Sequence, residues 1–463
     1  MADLNALIAD INSFLWGTLF LIPLLCGTGI FYTVRLRFVQ VRKFFLAVRY
    51  IKGDASLFGA PANSRGMSSF QALATAIAAQ VGTGNVAGTA TAMVLGGPGA
   101  LLWLWVAAFF GMATIFAEAV LAQVYKTTDS EGHAVGGPSW YITRGMGQWA
   151  RPLAVFFSIA IIAALGFIGN MVQSNTIAEA FDAAFGLPPL ATGLAVGFLA
   201  ALVFIGGISR VASVTEKLVP AMAAMYIAGG SYVLASHAGA VGSAFAMIFQ
   251  GAFDPQAVFG ASIGVTMREA MRYGVARGLF ANEAGMGSTP HAHAVARVEH
   301  PCQQGLIAIF GVFVTFVIIT FTGLVILASG VLSFAPDAPA GIRLTQAAYN
   351  VDMGSFGSVF VAVCLFFFAF STIVGWYFFG AQNVRFLFYG RGVPVYRVMV
   401  VIFIVAGSLL RVDLVWQLAD MFNAMMVLPN LVALWALRDA VTSRLADFEN
   451  LLNKSSPSSS LRA

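Results

Sequence analysis

Residues 68–95 read SSFQALATAIAAQVGTGNVAGTATAMVL, an apolar run with Gln80, Gly82, Thr83, Gly84, Asn85 and Gly88 gathered at its centre. Glycine costs about 1 kcal/mol relative to alanine in a helix interior, so this cluster favours unwinding. A second run, GVARGLFANEAGMGSTP, repeats the event with Gly278, Asn282, Glu283, Gly285, Gly287 and Pro290. Unwound backbone has a definite chemistry. The N–H groups opening the next half-helix suit a carboxylate, and the carbonyls freed before the break suit a hard cation or an ammonium group. No Lys or Arg lies within 80–88, so the backbone itself is the natural anion partner there. A zwitterionic amino acid travelling with sodium would use both environments. Gly84 and Gly88 also fit a GxxxG packing face, but packing needs no cluster of Gln, Thr and Asn.

Other polar residues stand in apolar surroundings. Ser371 and Thr372 occupy the middle of FFFAFSTIVGWYFFG, with Trp376 four residues after Thr372 and so on the same helix face. Hydroxyls in membrane helices also bond back to their own carbonyls. Asn170, Gln173 and Asn175 share a fourth apolar run, where Gln173 suits a substrate contact and helix–helix bonding is the alternative. Glu118, Glu179 and Asp420 are costly at membrane depth and read either as handling a proton or ion or, with Arg268, Arg272 and Arg277 as candidate partners, as a structural pair or a cytoplasmic gate. Glu283 lies inside the second break, where it would stabilise the break or discriminate an ammonium group. His291 and His293 lack a third metal ligand and read as cytoplasmic loop residues.

The elements that must hold these groups are membrane spans. Of 463 residues, 59% are hydrophobic and only 10% charged, against about 25% charged in soluble domains. Eleven apolar windows recur, at 11–34, 68–95, 99–125, 152–172, 188–208, 216–236, 258–290, 305–333, 356–380, 397–411 and 414–437. The seventh carries charges, and the positive-inside rule arbitrates. With it counted, 20 of the 25 Lys and Arg fall in one set of connections, two in the other and three within the window. The expected fold is therefore an all-α polytopic membrane protein with the N-terminus outside and the C-terminus cytoplasmic. No base precedes Arg35, so the first stretch reads as a retained span, not a signal peptide.

The breaks open two five-span blocks, and an odd span number makes the second block enter from the opposite face, the arithmetic of an inverted repeat. The organisation read from this is an N-terminal span with a basic cytoplasmic segment (1–67), a first repeat (68–257) with broken helix 68–95, a second (258–440) with broken helix 258–290, and a disordered cytoplasmic tail (441–463). Several classes fall away. No dense basic run marks a nucleic-acid site, three distant cysteines make no disulfide framework or Cys-based metal site, and neither GxxxxGK[ST], Gly-x-Ser-x-Gly nor HExxH occurs. An enzyme is not expected.

VGTGNVAGTATAMVLGGPGALLWLW, GGPSWYITRGMG, RGLFANEAGMGSTPHAHA and FSTIVGWYFFG resemble the signatures of the alanine or glycine:cation symporter family, in order and over nearly the whole chain. The resemblance implies a leucine-transporter-type fold, a five-plus-five inverted repeat after one extra N-terminal helix. It implies that Gly82, Thr83, Gly84 and Asn85, with Asn282, hold the carboxylate and ammonium. Gln80, Gln173, Phe280, Thr372 and Trp376 would wall a small pocket. Sodium would lie on the carbonyls of Ala78, Val81 and Phe368 and the hydroxyls of Ser371 and Thr372. The expected activity is import of alanine or glycine with sodium across a plasma membrane, the bacterial inner membrane, with no organic cofactor. A proton-coupled permease using a buried carboxylate is the alternative, and an ion channel a weaker one.

Overall fold

The computed structural model describes residues 2–17, 20–54, 66–129, 132–254, 266–335, 337–410 and 412–455. The chain opens with α1 (Ala2–Leu15), α2 (Leu21–Arg35) and the surface helix α3 (Phe44–Asp54). The first broken element is α4 (Ser69–Gln80), a wide π-helical stretch at Gly84–Gly88, and α5 (Thr89–Gly96). Then come α6 (Ala100–Val124), a two-stranded antiparallel hairpin pairing Thr127 with Val135, and the long helical run α7 (Gln148–Phe185). They are followed by α8 (Pro189–Ile205), α9 (Gly207–Ser236) and α10 (Ala238–Phe253). The second broken element is α11 (Met267–Asn282) and the short α12 (Pro290–Ala294). Five further helices complete the described chain before its end: α13 (Pro301–Ala328), α14 (Gly341–Met353), α15 (Ser355–Phe388), α16 (Val393–Leu409) and α17 (Val412–Ala436). The last described is α18 (Arg438–Ser455).

Among the described residues, six helices are long and apolar enough to cross a membrane: α6, α7, α9, α13, α15 and α17. Four shorter apolar helices, α2, α8, α10 and α16, accompany them. The two broken elements take the centre. α4 packs on α9, α13 and α15, and α11 packs on α5 and α6. Each starts from a reciprocal cap: Ser68 with Gln71, and Thr266 with Glu269. Such boxes satisfy two otherwise free N–H groups, so both helices have defined origins from which the breaks are measured.

The basic connections gather at one end. There Arg35 pairs with Asp439, Arg42 with Glu449 at 3.1 Å, and Arg385 with Asp129 at 3.0 Å. The other end carries Arg277–Asp420 and Arg343–Glu179, both at 3.2 Å.

Several expectations need correction. The window 11–34 is not one helix, since α1 and α2 are separate. Asn12 and Trp16 donate to the carbonyls of Gln417 and Asp420, which docks α1 on α17. The tail is ordered through 455: Val441, Leu445 and Phe448 are buried at spacings that share one face, and α18 packs them against α6 and α13. Residues 456–463 lie outside the described residues, as do 55–65 and 255–265, where the seventh window begins. Helices α10 and α14 occupy stretches read as bare connections.

Candidate functional site: two breaks and the helix between them

At the first break Val81 leaves helical geometry (φ −93°, ψ 84°). Its freed donors find side chains: Gly82 N–H donates to Asn85 Oδ1 (3.1 Å) and Thr83 N–H to Gln173 Oε1 (3.2 Å). The glycines are set by proximity. A Cβ on Gly82 would stand 2.5 Å from Thr372 Oγ1 and 3.0 Å from Gln173 Oε1, and one on Gly84 would stand 3.0 Å from the Phe280 ring.

Helix α15 lies against this break with its hydroxyls forward. Thr372 Oγ1 is 2.9 Å from Ala78 O, 3.4 Å from Val81 O and 3.0 Å from Phe368 O. Ser371 Oγ is 3.2 Å from Ala78 O and 2.8 Å from Phe368 O. All five groups expected to hold sodium therefore meet. Each hydroxyl has one proton and cannot donate to every carbonyl at once, so lone pairs remain for a hard cation, which takes oxygen ligands of this kind. The bonds to Phe368 O are also the back-bonding expected of membrane hydroxyls; the two roles coexist.

The second break is wider. α11 ends at Glu283 in the left-handed region (φ 57°), and Gly285 and Gly287 follow at φ 83° and 79°. Glu118 of α6 reaches across to it. Its carboxylate accepts from Gly285 N–H (3.1 Å), Gly287 N–H (3.0 Å) and Asn430 Nδ2 (2.6 Å), and Asn430 Oδ1 accepts from the Tyr141 hydroxyl. Glu283 accepts from Trp376 Nε1 (2.6 Å) and Ser288 Oγ (2.5 Å). Arg277 holds Asp420, Nη1 and Nη2 each at 3.2 Å, and Glu179 pairs with Arg343. Glu118 is thus an acceptor for backbone, not the ion-pair partner expected.

The breaks meet where Gln80 Nε2 donates to Asn282 O (2.8 Å). Phe280 stands edge-on to Trp376 (6.4 Å between centroids) and near Trp416 (5.5 Å). Four polar atoms here are buried without a hydrogen-bond partner among the described residues: Gln80 Oε1, Thr83 Oγ1, Asn85 Nδ2 and Asn282 Nδ2. Buried polar groups are normally paired, so these are the atoms a polar ligand would satisfy. Above Phe280 a pocket of about 80 Å³ opens towards a vestibule of about 740 Å³ whose walls include Thr91, Arg272, Trp416 and Asp420.

All ten expected substrate residues thus fall around the two breaks. Asn170 and Asn175 do not join them: Asn170 bonds Gly166 O in its own helix, and Asn175 bonds Gly407 O and Leu410 O of the α16 end. His291 and His293 are buried, not loop residues on the surface. Their rings bond Ser288 O, Asn383 and Gln304, and among the described residues no group of three metal-ligating side chains forms.

The sequence profile of the sodium:alanine symporter family matches residues 1–460. The chain belongs to that family. It is 41% identical over 454 residues to the sodium/alanine symporter AgcS of Methanococcus maripaludis, covering 97% of this chain and 98% of the relative. It is 39% identical over 447 residues to a probable sodium/glutamine symporter, GlnT, of Bacillus subtilis (96% and 91%). The fold is similar to that of a manganese transporter from Eremococcus coleocola (TM-score 0.52, 14% identity, covering 80% of this chain and 76% of that one). Membership of the family makes sodium-coupled amino-acid symport the frame for these residues and gives no support to a channel.

Sequence reasoning passed over Asn430, Ser288, Tyr141 and Asn383. Asn383 had a signal, since it lies seven residues after Trp376 on one helix face. Asn430 stands beside Pro429 in an apolar run, a polar residue at depth of the kind that merits attention.

Proposed function

We propose that the protein imports a small neutral amino acid, alanine or glycine, together with sodium by alternating access. The meeting of Ala78 O, Val81 O, Phe368 O, Ser371 Oγ and Thr372 Oγ1 carries this reading. An uncharged set of three carbonyls and two hydroxyls suits sodium, whereas a proton needs a titratable acceptor, and the buried carboxylates Glu118 and Glu283 bond the second break and Trp376 and not this set.

Gly82, Thr83, Gly84 and Asn85, with Asn282 and Gln80, receive the carboxylate and ammonium. Gln173, Phe280, Thr372 and Trp376 limit the side chain. A Cβ on Gly169 would stand 2.6 Å from the Trp376 ring, so the indole has no room to swing away, which favours a short side chain. Eleven spans in a five-plus-five inverted repeat fit the two central broken elements. The basic end faces the cytoplasm by the positive-inside rule, which makes the vestibule the outer entrance.

The test is uptake of radiolabelled alanine, glycine and glutamine into proteoliposomes under an inward sodium gradient, and under a matched proton gradient instead. Sodium-driven accumulation of alanine or glycine, lost in Thr372→Ala and Trp376→Ala, is expected. Accumulation driven by protons alone would overturn the sodium assignment, and a preference for glutamine would overturn the small pocket.

A further inference from the structure

Helix α15 holds the second break at two points of one face. Trp376 Nε1 donates to Glu283 Oε1 (2.6 Å), and two turns on, about 10 Å along the helix, Asn383 Nδ2 lies 2.8 Å from His291 Nε2. Ser288 joins the two points: its hydroxyl donates to Glu283 Oε2 (2.5 Å) and its carbonyl faces His291 Nδ1 (2.7 Å). A carbonyl only accepts, so Nδ1 bears the proton and Nε2 accepts from Asn383. The Asn383 oxygen then takes the hydroxyls of Ser139 (2.8 Å) and Ser158 (3.0 Å). This is a chain of positions, not a proton path, because the Ser288 hydroxyl and carbonyl are separate groups.

Every member is buried. The GGPSWY turn presses on the same place: a Cβ on Gly137 would lie 2.6 Å from the His291 ring, and one on Gly136 would lie 2.5 Å from Ala294. Beyond that turn, Trp140, Thr143 and Arg385 line an open cavity of about 430 Å³ at the basic end.

We propose that the Asn383–His291 contact is the inner latch of the transport cycle. It holds α12 and the GGPSWY turn shut against α15, and it parts when the site opens to the basic end. Asn383 and His291 are positioning residues: they touch neither ion nor amino acid, and act through the helix that carries Thr372 and Trp376. The inference rests on the symporter reading.

The test places a single reporter, Ala292→Cys, which is buried, in a protein lacking Cys26, Cys302 and Cys364. The rate of labelling by a membrane-impermeant maleimide is read in inside-out vesicles, with and without sodium. Slow labelling is expected in the parent. Asn383→Ala should label roughly tenfold faster, the size expected when a buried hydrogen bond is lost and its partner left unpaired. Ser158→Ala, a milder change, should label about two- to threefold faster. Adding His291→Ala to Asn383→Ala should give no further increase if both act through one contact. Unchanged rates in Asn383→Ala and Ser158→Ala would overturn the latch, as would a double variant whose acceleration is the product of the singles. Sodium-insensitive labelling of the parent would instead count against sodium coupling, leaving the latch comparison readable.

Discussion

The two breaks share a composition and differ in what their glycines are for. Neither Gly82 nor Gly84 has a positive φ; they are glycine because Thr372, Gln173 and Phe280 come too close for a side chain. Gly285 and Gly287 do have positive φ, and are glycine because the chain reverses there. The charges divide in the same way. No carboxylate bonds the first break, and it leaves polar atoms unpaired, as does Asn282 where the second break meets it; beyond Asn282 the second break turns on Glu118 and Glu283, which take the Gly285 and Gly287 N–H groups and the Ser288 hydroxyl. A segment whose polar groups wait for partners is suited to binding. One whose groups are saturated by buried carboxylates is suited to serve as a joint.

The largest expected effect tests the joint. Glu118→Ala leaves the Gly285 and Gly287 N–H groups without their acceptor, while Asn430 Nδ2 keeps only Gly285 O, and each buried unpaired donor costs about 1–3 kcal/mol. A loss of about 3 kcal/mol or more should appear as a lower thermal midpoint of the detergent-solubilised protein. Thr372→Ala should behave in the opposite manner. A hydrogen-bond-like contact to a charge is worth about 1.5–3 kcal/mol, so apparent sodium affinity should fall roughly 10- to 150-fold with the thermal midpoint nearly unchanged. If Glu118→Ala altered only sodium affinity, or Thr372→Ala only the midpoint, the division of labour would be wrong.

A third variant sharpens the contrast within glycine itself. Gly285→Ala keeps every hydrogen bond but forces an L side chain into left-handed backbone, at about 1–2 kcal/mol. Its Cβ comes closest to the movable end of Leu25, at 2.8 Å, with Leu431 and Thr114 at ordinary contact distance. The midpoint should drop moderately, and KM for alanine should stay within about twofold. A large rise in KM would place the Gly285–Gly287 turn, and not only Asn282 before it, in the binding surface.

The sequence made the site legible where polar groups interrupted an apolar run. Gln80 to Asn85, Asn282, Ser371, Thr372 and Trp376 stood out because lipid gives such residues no partner, and the structure brings them together. The register of Ala78, Val81 and Phe368 came from family resemblance, since a carbonyl carries no side-chain signal. Partners supplied by tertiary packing were hidden. Glu118 was visible as an anomaly, but its acceptors' counterparts are backbone N–H groups formed only when the chain turns at Gly285. α18 was misread because a Ser-rich end masked the Val441, Leu445, Phe448 stripe that buries it.

The smallest effect lies outside both breaks, at the vestibule floor. Arg277 grips Asp420 through two nitrogens at 3.2 Å, and its guanidinium also lies 5.0 Å from the Trp416 ring centre. Both side chains remain partly exposed, at 16% and 23%, so solvent screens the pair and its worth is about 1 kcal/mol or less. Asp420→Asn keeps an acceptor for Arg277, and the indole keeps the guanidinium in place. The midpoint should not move, and KM for alanine should rise less than about fivefold, more at low ionic strength than at high, because salt already weakens the native pair. If Asp420→Asn instead stopped uptake while leaving sodium binding intact, the pair would be a moving part of the vestibule, and the two breaks would share the work of the cycle with a third, peripheral contact.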